Sequence, residues 1–159
     1  DVCLIPEIPY DIEKVASHIT ELNERGRNHA LVVCAEAVKS KNGDAQWETH
    51  VDGEVRYGGI GNMIGDQIQK LTEAETRVTV LGHVARGGIP VAMDRMIASA
   101  YGVHAVDLVA QNRYDRLVVW QHREVVDVPI EDVITRYRDV NIHGTTVRTA
   151  RGLGICLGD

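Results

Sequence analysis

Hydrophobic and polar positions along the chain switch between two periods, and the switches mark out its elements. Residues 2–5 form a short apolar run stopped by Pro6, the pattern of a buried strand and a turn. Asp11 then stands where a helix N-cap belongs. Ile12, Val15, Ile19 and Leu22 follow at helical spacing, and Gly26 suits the end of that helix. Residues 30–35 read as a second buried strand. Residues 39–57 are polar and mixed, with Asn42-Gly43 and Asp52-Gly53 turn pairs, and fit either two short strands or a surface loop. Residues 58–71 predict a helix with Ile60, Ile64, Ile68 and Leu71 on one face. A β-branched stretch, residues 76–81, predicts a third strand.

Further on, Pro90 takes the first-turn position that tolerates proline, and residues 91–110 predict a helix broken or kinked at Gly102. Residues 117–121 and 124–128 predict a hairpin around His122-Arg123, and residues 129–137 another helix. Residues 143–159 mix Gly with small apolar residues and support no single assignment. Strands alternating with helices indicate an α/β fold with a mainly parallel sheet. No internal repeat or linker interrupts it.

Composition narrows the function classes. The 159 residues are 44% hydrophobic but only 4% aromatic, with no Phe, so the core is aliphatic. A net charge of -6 argues against a nucleic-acid module, which carries a basic stripe. It leaves room for phosphorylated metabolites wherever a few Arg converge. No apolar run approaches the roughly 20 residues of a membrane span, and no stretch reads as a signal peptide. Cys3, Cys34 and Cys156 are odd in number and widely spaced, and they read as reduced, buried thiols of a cytoplasmic protein. A chain that starts without Met inside a strand-like run is expected to be part of a longer protein.

Several familiar chemistries are missing. There is no phosphate-binding Gly-x-x-x-x-Gly-Lys loop, no His-Glu-x-x-His metal motif and no Gly-x-Ser-x-Gly elbow. The run from Gly59 to Gly65 resembles a dinucleotide fingerprint, but Ile64 stands where the third Gly belongs and a polar loop precedes it.

The informative segment is residues 75–88, Glu-Thr-Arg-Val-Thr-Val-Leu-Gly-His-Val-Ala-Arg-Gly-Gly. A strand that ends in Gly-His, with Arg86 and a Gly pair beyond it, suits a phosphate cradle, because ligands of open α/β sheets collect beyond carboxyl strand ends. The plain alternative is that His83 and Arg86 only decorate a loop before a helix. Arg77 sits inside the β-branched run, either at an edge in water or presented across a subunit interface. Glu36 ends the run of residues 30–35, placed to accept hydrogen bonds from sugar hydroxyls or simply to face solvent.

Taken together, residues 4–9, residues 29–36, residues 75–88, Asp94-Arg95, Ala98-Ser99 and residues 150–155 resemble the 6-phosphofructokinase family, in its bacterial group of ATP- and pyrophosphate-using members. The His-x-x-Arg-Gly-Gly core is the specific part. The resemblance implies a three-layer, Rossmann-like parallel-sheet lobe of the phosphofructokinase fold, incomplete here. It implies that His83 and Arg86 hold fructose 6-phosphate through its phosphate and that Glu36 binds the sugar hydroxyls. Arg77 then reaches a neighbouring subunit's active site. Arg25 and Arg27 match basic positions that bind effector phosphates, with Asp1 near the same site, although cations also suit a helix end. Ala85 and Ile89 depart from the family, where Gln and Ser are usual.

The resemblance also implies what this stretch lacks. The donor loop, the catalytic aspartate and the sites for Mg2+ with ATP or pyrophosphate precede it, so no catalytic or metal-binding residue is expected here and the stretch alone is expected to be inactive. Residues 1–89 are expected in the sugar-phosphate lobe, residues 90–140 in the donor lobe and residues 141–159 in a C-terminal tail. The whole enzyme is expected to be a cytoplasmic dimer or tetramer with no membrane or nucleic-acid partner. The other reading is a non-catalytic regulatory or scaffolding protein of the same fold.

Overall fold

The computed structural model describes residues 1–43, 47–49, 55–57, 59–135 and 138–159. Its elements run β1 (Val2–Leu4), α1 (Ile12–Glu24), β2 (Val32–Cys34), β3 (Trp47–Thr49), β4 (Val55–Tyr57) and α2 (Ile60–Thr72). A 3₁₀ turn (Gly82–Arg86) leads to α3 (Ala92–Ala110), β5 (Arg116–Gln121), β6 (Glu124–Pro129), α4 (Ile130–Ile134) and α5 (Thr145–Gly152). The chain forms two compact units, Asp1–Val80 with Asp139–Asp159, and Leu81–Arg138.

The first unit is built on a parallel pair, β1 and β2, in the register Val2↔Val32 and Leu4↔Cys34. The C-terminal tail lies along the other side of β1. There Cys3 N–H donates to Cys156 O, and Cys156 N–H to Asp1 O, both at 2.9 Å. Asp11 caps α1 by accepting from Glu13 N–H at 3.0 Å. The helix ends in a Schellman motif, with Gly26 N–H on Asn23 O and Arg27 N–H on Leu22 O. Gly26 supplies the left-handed residue this needs, at a φ of +87°. Val15 and Ile19 of α1 bury with Ile60, Ile64 and Ile68 of α2 around Val2 and Leu4. A second cluster joins Ile8 to Val147 of α5 and Leu157 of the tail.

Three expectations are corrected in this unit. The strand over residues 30–35 shrinks to three residues, and it is not buried, since Leu31 and Val33 are 63% and 54% exposed. Among the described residues it pairs with β1 alone, which leaves its other edge and the Val33 face bare. Leu71 does not join the apolar face of α2 and is exposed. Residues 76–81 form no strand. A β-branched run becomes a strand only where a neighbour supplies the ladder, and no described strand pairs with it. Val78 lies instead against Gly61 and Gly65 of α2, and Thr76 Oγ1 donates to Gly65 O at 3.3 Å.

Of the two readings for residues 39–57, strands hold. β3 and β4 pair antiparallel, Trp47↔Tyr57 and Thr49↔Val55, while Asp52-Gly53 falls outside the described residues. In the second unit α3 packs on the antiparallel β5–β6 hairpin. The turn residues His122 and Arg123 both take positive φ, +51° and +69°, the two-residue geometry that matches strand twist. Pro90 is two residues before the first helical residue, with Val91 as N-cap, and α3 runs unbroken through Gly102. The helix expected over residues 129–137 is the short α4; residues 136–137, like residue 58 at the expected start of α2, lie outside the described residues. The three cysteines are free and half-buried rather than buried, and burial pushes the Cys34 thiol up, away from the reactive thiolate.

Candidate functional site

His83 and Arg86 stand on one 3₁₀ turn. In that geometry side chains at i and i+3 eclipse, so the imidazole and the guanidinium project from the same face. The turn is closed by Val84 N–H on Leu81 O at 2.8 Å. Gly82 opens it and Gly88 lies two residues beyond it, at φ of +44° and +121°, conformations that a side chain would strain. A Cβ on Gly87 would come 3.3 Å from His83 O. Every residue from 81 to 90 is exposed. Among the described residues no ion pair or hydrogen bond occupies the Arg86 guanidinium. The loop thus offers a forked cation and an imidazole to an incoming anion.

Glu36 and Arg77 belong to the first unit. Glu36 lies exposed in the turn just beyond the carboxyl end of β2. Arg77 is not stranded in a buried sheet. Its guanidinium pairs with Glu75 at 3.0 Å, with side chains 87% and 77% exposed, an arrangement worth only ~0–1 kcal/mol.

Asp1, Arg25 and Arg27 divide. Arg27 Nη2 donates to Asp1 Oδ1 at 3.0 Å, and Leu31 N–H donates to Asp1 Oδ2 at 2.9 Å. One carboxylate therefore ties the end of α1 to the entry of β2. Arg25 turns instead to Glu21, one helical turn back, at 3.4 Å.

The densest charge cluster is one the sequence did not single out. Asp127 of β6 accepts from His104 Nε2 at 3.1 Å, from Arg113 at 2.6 Å and from Arg116 Nε at 2.6 Å. Burial pushes the Asp127 carboxyl up. The hydrogen bonds from His104 and Arg116 and the charges of Arg113 and Arg116 outweigh it, and the group is held below the usual carboxylate range. The available signal was the hairpin register, which sets Asp127 opposite Val118 and two residues from Arg116. Arg151 and Asp159 form a second pair, Nη1 to Oδ1 at 2.9 Å. That hydrogen bond draws the Asp159 carboxyl down and raises Arg151. Among the described residues no group of three or more His, Cys, Asp or Glu is placed to hold a metal ion, and no helix is long and apolar enough to cross a membrane.

A parallel strand pair flanked by helices, with Glu36 past the carboxyl end of one strand, defines the first unit as α/β, and the His83–Arg86 turn opens the second unit. Comparison with known proteins gives the family. The phosphofructokinase profile matches residues 1–109, and the chain belongs to the phosphofructokinase family, with a mixed α/β fold that is small and incomplete beside the whole. It is 51% identical over 159 residues to "ATP-dependent 6-phosphofructokinase 1" of Synechocystis sp., covering all of this chain and 44% of that protein. It is similarly 49% identical to "ATP-dependent 6-phosphofructokinase 1" of Nostoc sp. and 38% identical to "ATP-dependent 6-phosphofructokinase" of Chloroflexus aurantiacus. The chain thus spans less than half the length of the relatives it matches, 44% in each of these three.

Proposed function

We propose that the chain is the sugar-phosphate-binding half of a 6-phosphofructokinase, whose whole protein moves a phosphoryl group from ATP to the 1-hydroxyl of fructose 6-phosphate. The observation that carries this reading is the exposed Gly82–Arg86 turn, with His83 and Arg86 on one face between glycines. Arg86 grips the sugar's phosphate with its planar fork, and His83 adds a donor beside it. Glu36 accepts hydrogen bonds from the sugar hydroxyls. Arg77 extends toward the active site of a neighbouring subunit, and its solvent-exposed pairing with Glu75 yields at little cost.

ATP as the donor follows the names of the relatives. Donor and Mg2+ are assigned, with the family resemblance, to residues outside this stretch. By itself the stretch binds without catalysing. Residues 1–89 serve the sugar-phosphate lobe, residues 90–140 the donor lobe and residues 141–159 the tail of a cytoplasmic homo-oligomer. Arg25, Arg27 and Asp1 form a lesser, effector-phosphate site, where the phosphate competes with Asp1 for Arg27.

Isothermal titration of the intact chain with fructose 6-phosphate tests the reading. Saturable binding is expected, and Arg86→Ala should weaken it by about tenfold or more, the worth of one charge-assisted hydrogen bond. Equal affinity in the variant removes Arg86 from phosphate binding. A folded chain that ignores the sugar phosphate overturns the claim that these residues suffice to hold it.

A further inference from the structure

The polypeptide leaves the first unit after Val80 and re-enters it at Asp139. The two passages are secured very differently. At the exit, Val80 and Leu81 are 78% and 59% exposed, and among the described residues neither backbone N–H has an acceptor. At the return, Val140 N–H donates at once to Glu7 Oε1 at 2.8 Å, a bond between residues 133 positions apart. The next turn is closed locally by His143 N–H on Asn141 Oδ1 at 3.0 Å and Gly144 N–H on Asn141 O at 2.8 Å. A Cβ on Gly144 would stand 2.9 Å from that same carbonyl, so the turn admits no larger residue. Then α5 begins, and its Val147 sinks beside Ile8, the neighbour of Glu7.

Glu7 is itself firmly seated. It lies in Pro6-Glu7-Ile8-Pro9 just past β1, where Ile8 N–H closes a turn on Ile5 O at 3.2 Å and Ile8 is 5% exposed. One carboxylate oxygen serves Val140. The other, Oε2, is enclosed and has no partner among the described residues. A Glu free to face water would satisfy both oxygens there, so the position of this one is set by its single bond to the returning chain. Sixteen residues after Val140 the tail meets β1 again through Cys156.

We propose that Glu7 is a latch, a positioning residue that fixes the register at which the returning chain rejoins the first unit. It sets down α5 and the tail strand in one place, independently of the conformation of residues 81–138. Among the described residues the exit passage has no counterpart, which makes it the conformationally freer end. The proposal concerns the fold alone and does not depend on the reaction.

Native-state amide exchange of the intact chain tests it. Glu7→Ala should accelerate exchange at Val140 and Gly144 by about tenfold or more while Ile19 of α1 stays within about twofold, the signature of local rather than global opening. Glu7→Gln, whose carbonyl still accepts from Val140, should keep most of the protection. Brief trypsin treatment should cut the unaltered chain after Arg77 or Arg86 before Arg138, and Glu7→Ala should bring Arg138 level with them. Unchanged exchange at Val140 in Glu7→Ala overturns the latch. So does equal acceleration across α1 and α5, which would make Glu7 a residue of general stability. Should Glu7→Ala fail to fold, Val140→Pro deletes the donor and leaves Glu7 intact. Gly144 must then exchange faster with α1 unchanged, and a Gly144 that does not loosen overturns the proposal.

Discussion

At the scale of single residues, charge placement divides into groups held by partners and groups left open. Asp127 gathers His104, Arg113 and Arg116 and is held below the usual carboxylate range. A group whose folded pKa is depressed contributes stability above its unfolded value, about 3.9 for Asp, and loses it as pH falls through the folded one. Asp127→Asn should therefore lower the melting temperature at neutral pH and flatten the loss of stability below about pH 4. Melting curves from pH 2.5 to 7 would read this, and an unchanged acid limb would remove Asp127 from it. Arg86 is the opposite case, exposed and free of described partners, which is what a ligand-binding cation requires and a structural one does not. The motif behind the proposal for Arg86 was readable in residues 83–88 because a His-x-x-Arg-Gly-Gly run is local. The Asp127 cluster was legible only in part, since the hairpin register sets Asp127 near Arg116 but only a helix contact adds His104.

At the scale of elements, punctuation was more legible than burial. Asp11 caps α1, Gly26 ends it, and the hairpin turns at His122-Arg123, each as the sequence indicates. Capping is a matter of one or two residues, so Asp11→Ala should cost about 1 kcal/mol by thermal or urea melting. Glycines separate by their surroundings. Gly158 has a φ of +83°, and a Cβ there would meet Tyr10 Cβ at 2.7 Å and Leu4 Cδ2 at 3.0 Å. Overpacking of this kind costs ~1–3 kcal/mol, so Gly158→Ala should be clearly destabilising. Gly102 is in the middle of α3 with nothing within 4 Å, and Gly102→Ala should stabilise the helix by up to about 1 kcal/mol. Equal effects of the two substitutions on the melting temperature would contradict both assignments. The missing strand over residues 76–81 shows the limit of local reading. Its β-branched residues state a preference, but a ladder requires a neighbour, and Val78 spends its packing on α2 instead.

At the scale of the whole molecule, the governing fact is that the chain spans 44% of its Synechocystis and Nostoc relatives. Helix α3 buries only Leu108, while Met93, Met96, Val103, Val106 and Val109 are each more than half exposed. An apolar helix of this kind requires cover. The isolated chain is accordingly expected to self-associate, with the weight-average mass in sedimentation rising with concentration. Paired Val106→Glu and Met96→Glu substitutions should return it toward the monomer, and a chain that remains monomeric without them would show that α3 tolerates water as it stands. The sequence alone determined the aliphatic composition, the alternation of helix and strand, the caps and turns, and the Gly-bounded His83–Arg86 run, because each depends on neighbours within a few positions. Tertiary structure alone decided that residues 30–35 are half bare, that residues 76–81 form no strand, that Asp1 occupies Arg27 and that Glu7 catches Val140. Those outcomes depend on which distant segment comes to lie alongside, and no periodicity in a chain records that.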